Sequence, residues 1–349
     1  MVKMIPIVMN TAFERIAEVD DYSSFIWTTR YNTCGDFEIC VDVTAANLLL
    51  FQKDYLIVRD NDDRVGVVES VIIERNEDGQ EILIVSGRFL SSILGRRIIS
   101  RQTVINGTLS NGIEALLDNE VISPQNSART IANLTFNSLL TTAQTITAQY
   151  TGKNLLETIA DICNTYGIGF KTILTDDNEF EFTLFEGVDR SYNQSVNPYV
   201  VFSDKYDNLL SSQYSEDYQN IVTDVLVAGE GEGLDRKMLW VSNGNQRGLN
   251  RYELFDDRRD LQSNDGEISA SEYNDLLEEA GKENMSTITV AFSGTVYFEN
   301  IEYKTDVNIG DICTIENSKW GLSINSRLVE VIESVNEAGE YSIIPSFGL

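Results

Sequence analysis

The residue types that usually carry chemistry are either missing from this chain or spaced wrongly for it. Its 349 residues include no histidine, which removes the commonest general base and the commonest metal ligand together. Ser-His-Asp and Cys-His units are therefore excluded, and no Gly-x-Ser-x-Gly elbow occurs. Asp60-Asn-Asp-Asp63 has the acid density of an ion-binding loop, but lacks the following Gly and the distant Glu of a calcium hand. A hairpin tip is the better reading. Gly229-Glu-Gly-Glu-Gly233 lacks the Lys-Ser/Thr ending of a phosphate loop, and its glutamates would repel phosphate. It reads as a flexible loop. Two-carboxylate hydrolysis stays formally open, but among 55 Asp and Glu residues a close pair arises in any fold. No catalytic residue, cofactor site or metal ligand is assigned, and the chain is not expected to be an enzyme.

The four cysteines, Cys34, Cys40, Cys163 and Cys313, have neither zinc-site nor redox-motif spacing. They read as reduced, mostly buried thiols of a chain made in a cytoplasm. The 26 Lys and Arg residues stand against 55 acids, for a net charge of −29. Such a surface repels nucleic-acid phosphates and anionic membranes, so neither sequence-specific nucleic-acid binding nor direct membrane anchoring is expected. The charge has two open meanings: plain solubility, or a conduit wall that polyanions pass without sticking. Against this background the arginines cluster. Arg88, Arg96, Arg97 and Arg101 form one group, and Arg247, Arg251, Arg258 and Arg259 another. Arginine makes forked hydrogen bonds to carboxylates and is enriched at interfaces. Arg88, Arg96, Arg97, Arg101, Arg251, Arg258 and Arg259 are candidate contacts between subunits. Internal pairing with the chain's own acids is the competing reading.

Most of the elements that position these residues read as strands. Phe25, Trp27 and Thr29, then Phe37, Ile39 and Val41, alternate around Asn32-Thr-Cys-Gly35 as a hairpin with Gly35 in its turn. Thr44 caps a short helix to Lys53. Strands at 54–60, 65–75 and 81–88 complete a small antiparallel barrel or sandwich. The middle changes period: helices are expected over Leu109–Glu120 and Asn154–Tyr166, the latter stopped by Gly167, followed by a hairpin of 169–174 and 179–185. A strand at Asn220–Gly229 and a helix from Ser271 precede strands over 287–347, where Pro345 marks an edge or a bulge. The fold class is α+β, mostly β: a first β-barrel module over 1–100, an α+β insertion over 101–215, and a second module over 216–349 with a helical excursion near 271–285. No run of about 18 apolar residues suits a membrane span. The start, Met1 to Asn10, is too short and too soon polar for a secretory signal.

The chain also contains a repeat. Val68–Arg88 and Leu328–Gly348 each read as strand, tight turn, strand. Displaced by 260 positions, Val71, Ile72, Asn76, Glu77, Gly79, Ile84 and Ser86 meet Val331, Ile332, Asn336, Glu337, Gly339, Ile344 and Ser346. Upstream, Asp54-Tyr-Leu-Ile-Val and Asp311-Ile-Cys-Thr-Ile correspond. Asn-Glu-x-Gly is ordinary hairpin chemistry, so shared turn composition and a duplicated β-module both account for the matches. Two related modules per subunit would let three subunits imitate a six-fold ring.

Phe25-Ile-Trp27-Thr-Thr-Arg30-Tyr31 with Gly35-Asp36-Phe37-Glu38 resembles the opening of tail proteins from long-tailed bacteriophages of the ReqiPepy siphovirus type. Ser86-Gly87-Arg88, Leu94-Gly-Arg96-Arg97-Ile98-Ile99, Gly248-Leu-Asn-Arg251-Tyr-Glu253 and Asp257-Arg258-Arg259 are similar to later signatures. Gly310-Asp311, Arg327 to Val331 and Phe347-Gly348 resemble the closing module. The resemblance implies a baseplate hub: a homotrimer at the tail tip whose paired barrels form a pseudo-hexameric ring. Its implied partners are the tail tube protein or distal tail ring on one side, and a spike, fibre or tape measure protein on the other. It implies a place in the virion, with no catalytic residues. Larger relatives carry extra C-terminal domains; this sequence stops at Leu349, so no lysin is expected within it. Two alternatives are a carbohydrate-binding receptor module, using the 3 Trp and 15 Tyr, and a two-carboxylate wall hydrolase.

Overall fold

Period-two alternation places Phe25, Trp27, Phe37, Ile39 and Val41 on one face of a hairpin, and all five are buried. In the computed structural model, which describes residues 4–75, 79–209, 211–285, 289–293 and 301–348, this hairpin is β1 (Ser24–Arg30) and β2 (Asp36–Asp42). Phe25 lies opposite Ile39 and Trp27 opposite Phe37. Gly35 does not turn the chain through a left-handed conformation. It is required by proximity: a Cβ there would sit 2.3 Å from the Thr28 carbonyl oxygen and 2.6 Å from the Phe89 ring.

A second hairpin, β3 (Ser70–Arg75) and β4 (Glu81–Arg88), joins the first through pairing of β4 with β2. Late in the chain come β5 (Gln213–Asp217), β6 (Thr289–Ser293), β7 (Leu322–Val335) and β8 (Tyr341–Gly348). All eight share one sheet, in the spatial order β5-β6-β8-β7-β1-β2-β4-β3. The order within the second set, β5-β6-β8-β7, repeats that within the first, β1-β2-β4-β3. The join is an antiparallel pairing of β7 with β1.

The two late hairpin strands also repeat the early register. Val71 faces Val85 and Ile72 faces Ile84; 260 positions on, Val331 faces Pro345 and Ile332 faces Ile344. Both turns use glycine at positive φ, 82° at Gly79 and 74° at Gly339. The matched Asn76 and Glu77 lie outside the described residues. Pro345 falls where β8 pairs with β7 alone; the pairing with β6 covers only Ser346–Gly348 among the described residues.

Each four-strand set is covered by a second layer. Over the first lie Pro6–Met9 and its partners Arg15–Glu18 and Leu56–Arg59, so that Val8 and Ile57 pack against Phe25, Trp27 and Leu83. Over the second lie Val201–Ser203 and Ile312–Asn317, with Phe202, Cys313 and Ile315 against Leu328, Val331 and Phe347. Strand accounts for 40% of the chain and helix for 19%, so the fold is mostly β with α+β content. The expected barrels do not close: among the described residues the strands of both sets run on in one open sheet. The physical reason is that β7 spends its second half on β1 and its first half on Ile312–Asn317.

Between the two sets, α1 (Leu109–Leu117) and α2 (Leu155–Tyr166) pack on short sheets around Ile113, Ile159, Phe170 and Phe182. The first of these helices stops short of Glu120 and continues as one π-helical turn over Asp118–Ile122. Residues 224–283 form a three-stranded sheet and α3 (Ala270–Glu283), with their own core of Val225, Val227, Val241, Tyr273 and Leu277. The cap of that helix is Ser269, not Ser271. Its side chain accepts from Glu272 N–H while Glu272 reaches back, a reciprocal box that needs the three-residue spacing. Among the described residues no helix is long and apolar enough to cross a membrane.

Candidate functional site

The place where the two sets join is built from residues far apart in sequence. Across β7 and β1, Glu330 faces Arg30, Val331 faces Thr29, Glu333 faces Trp27 and Val335 faces Phe25. Arg30 reaches Glu330 at 2.7 Å and also pairs with Asp36. Behind the sheet, the buried Arg59 guanidinium bridges Asp62, at 2.7 Å, and Glu333, and lies 5.2 Å over the Trp27 ring. Trp27 Nε1 donates to Asp62 at 3.1 Å, Lys304 Nζ donates to Asp62 at 2.8 Å, and Tyr341 OH donates to Glu333 at 2.9 Å.

Asp60–Asp63 does connect two short strands, as a hairpin tip should, but Asp62 points inward rather than to solvent. Burial alone would raise its carboxyl. The Arg59, Arg64 and Lys304 charges outweigh burial and hold it well below the usual carboxylate range. Burial would lower Arg59, and Asp62 with Glu333 more than reverse that. The cluster is internally neutralised wiring between the sets: its cationic partners are side chains. Among the described residues no group of three or more Asp, Glu or Cys is arranged to hold a metal ion.

The ends of the sheet contrast with this join. At one end, among the described residues, β3 pairs only with β4, and Val71, Ile72 and Ile73 are 41%, 45% and 54% exposed. At the other end, among the described residues, β5 pairs only with β6. Following the registers through the repeat, β5 corresponds to β1, with Tyr214 in the place of Trp27. Tyr214 packs against the second core, as Trp27 does in the first.

Each of the seven candidate arginines has a partner within the chain. Arg88 forks onto Glu69 at 2.8 and 2.9 Å, and Arg96 pairs with Asp54 at 2.7 Å. Arg97 donates to the Arg129 and Arg96 carbonyls, and Arg101 to the Asn119 side chain. Arg251 holds the buried Asp224 and stacks 4.9 Å from the Trp240 ring. Arg258 is buried among Asp260, Asp256 and Glu283, and Arg259, at 3.4 Å from Asp257, is well exposed. Within the chain Arg88, Arg96, Arg251, Arg258 and Arg259 thus meet carboxylates, and Arg97 and Arg101 meet carbonyl or amide oxygens. Sequence reading missed Arg59, Asp62, Lys304 and Glu333 as a group. The Gly229–Gly233 stretch is pinned: Glu230 N–H donates to Tyr273, and the Glu230 carboxylate accepts from Ser263.

The sequence that builds this sheet and its internal join is matched by a family model. That model, Siphovirus ReqiPepy6 Gp37-like protein, covers residues 6–349. The chain belongs to this family. Solved structures share its fold. A tail protein from Neisseria meningitidis superposes with a TM-score of 0.59 at 11% identity, covering 100% of this chain and 97% of that one. A prophage MuSo2 tail protein from Shewanella oneidensis gives 0.56 at 12% identity, covering 99% and 97%. A chain of the Francisella PdpA-VgrG complex gives 0.50 at 11% identity, covering 99% of this chain and 52% of that chain. No curated protein matches the chain by sequence.

Proposed function

We propose that the protein is a structural hub at the tip of a phage or phage-like tail. It is a homotrimer whose two four-strand sets per chain make a pseudo-hexameric ring, joining the tail tube to the spike or fibre. The observation that carries this reading is the tandem order of the sheet. One chain already places two like units side by side through β7 and β1, so three chains present six like units to a hexameric neighbour. Family membership and the tail-protein folds support a place in the virion tail. In this reading the duplicated hairpins descend from one β-module, and the net charge of −29 lines a passage that phosphates do not adhere to. Arg259, the most exposed of the clustered arginines with a carboxylate partner, is the one best placed to exchange that partner for a neighbour's acid. The role is non-enzymatic.

The carbohydrate-binding alternative would use exposed aromatics, and Trp240 and Phe255 do share a row with Leu226 on one sheet face. Guanidinium groups of Arg251 and Arg236 already lie over those two rings, at 4.9 and 5.8 Å. A stacking sugar would have to displace both, which favours the structural reading. Antibody labelling of particles, viewed by electron microscopy, tests the assignment. Label at the tail tip is expected; label along the tube or on the head contradicts it.

A further inference from the structure

The internal join specifies how copies would meet. We propose that β3 of one copy adds antiparallel to β5 of the next, in the register the chain uses between β7 and β1. This rests on the ring reading above and adds to it the contact surface and its residue pairs. Within the repeat, β3 occupies the place of β7 and β5 the place of β1. Among the described residues the sheet therefore ends on one side with a strand lacking a β1-like neighbour, and on the other with a strand lacking a β7-like neighbour. Such complementary ends join head to tail, and head-to-tail contacts close into rings when the rotation permits.

Carrying the β7–β1 register across sets Ile73 opposite Tyr214, Ile72 opposite Ser215 and Val71 opposite Glu216. Inward residues then meet inward residues, as Glu333 meets Trp27 inside the chain. A β-branched residue opposite an aromatic is a favourable cross-strand pair. The exposures agree. Val71 and Ile73 are 41% and 54% exposed, whereas the equivalent Val331 and Glu333 are 0% and 5% exposed beneath their neighbour. A run of three exposed apolar residues on an edge strand is what soluble proteins avoid unless the edge is covered.

Two cysteine pairs test the register: Val71→Cys with Glu216→Cys, and Ile72→Cys with Ser215→Cys. Consecutive antiparallel pairs alternate between hydrogen-bonded and close non-hydrogen-bonded geometry, so at least one pair should bridge. After mild oxidation of the full chain, a non-reducing gel should give covalent dimer and trimer. The shifted pair Ile72→Cys with Gln213→Cys should give neither. Light scattering on the same samples separates the two levels of the proposal. A trimer whose shifted pair bridges, or in which no pair bridges, overturns the register and leaves the trimer standing. A chain that is monomeric at every concentration and salt overturns both. As a second variant, Ile72→Lys with Ile73→Lys, on exposed positions, should keep the native circular dichroism and lose the trimer mass. Retention of that mass also overturns the edge contact.

Discussion

Val331 and Val71 hold equivalent places in the two hairpins, one facing Pro345 and the other Val85. Val331 is fully buried and Val71 is 41% exposed. The strands are alike; what differs is the neighbour. Where β1 adds to β7, an ion network and a shared aromatic face form behind the sheet. Where no described strand adds to β3, the same apolar face meets solvent. The join and the edge thus present like strands in two settings, one covered by β1 and one with no described strand beyond it.

The sharpest way to break the join is Arg59→Ala. It leaves the buried Asp62 and Glu333 carboxylates without their main cation, and removal of one partner from a buried ion group costs about 3–5 kcal/mol. Urea unfolding should reveal a loss of that size, whereas Ile72→Lys at the open edge should change monomer stability by less than about 0.5 kcal/mol. Next, Trp27→Ala should cost about 3–5 kcal/mol, as for a fully buried large aromatic. Tyr214→Ala, at the equivalent but half-buried place, should cost clearly less. Similar losses would mean that β5 is already covered.

The join should also respond to acid. Asp62 is held below its unfolded-state value near about 3.9. Its stabilising contribution is therefore complete above that value and is lost as pH falls through the depressed folded value. The stability gap between the native chain and Asp62→Asn should stay level from pH 7 to 5 and shrink below about 4. A gap that instead changes between pH 5 and 7 would remove Asp62 from the account. The smallest effect compares the turns. Gly79→Ala and Gly339→Ala both force a side chain into positive φ and should each cost about 1 kcal/mol. Equal costs would extend the repeat to its turns, and a several-fold difference would limit it to the strands.

Much of this was legible in the sequence because local chemistry writes it there. The alternation of Phe25, Trp27, Phe37 and Ile39, the helix stop at Gly167 and the turn glycines each act within a few residues. The 260-position repeat was legible for the same reason, since β-branched and glycine positions fix a hairpin's register. The join was not. Arg59 and Glu333 are 274 positions apart, and nothing near either one signals the other. The partners of the clustered arginines were hidden for the same reason: Arg251 and Arg258 meet carboxylates that the fold brings in from Asp224 and Glu283. The helix start at Ser269 rather than Ser271 turned on a three-residue spacing to Glu272 that two adjacent serine-led starts obscure.

The most direct test of the ring is the mass of the purified chain by light scattering after size exclusion, over a series of concentrations and salt. Screening of the −29 charge should favour association at high salt. The account expects three times the chain mass of 39.2 kDa. A monomer or a dimer at every condition would contradict it.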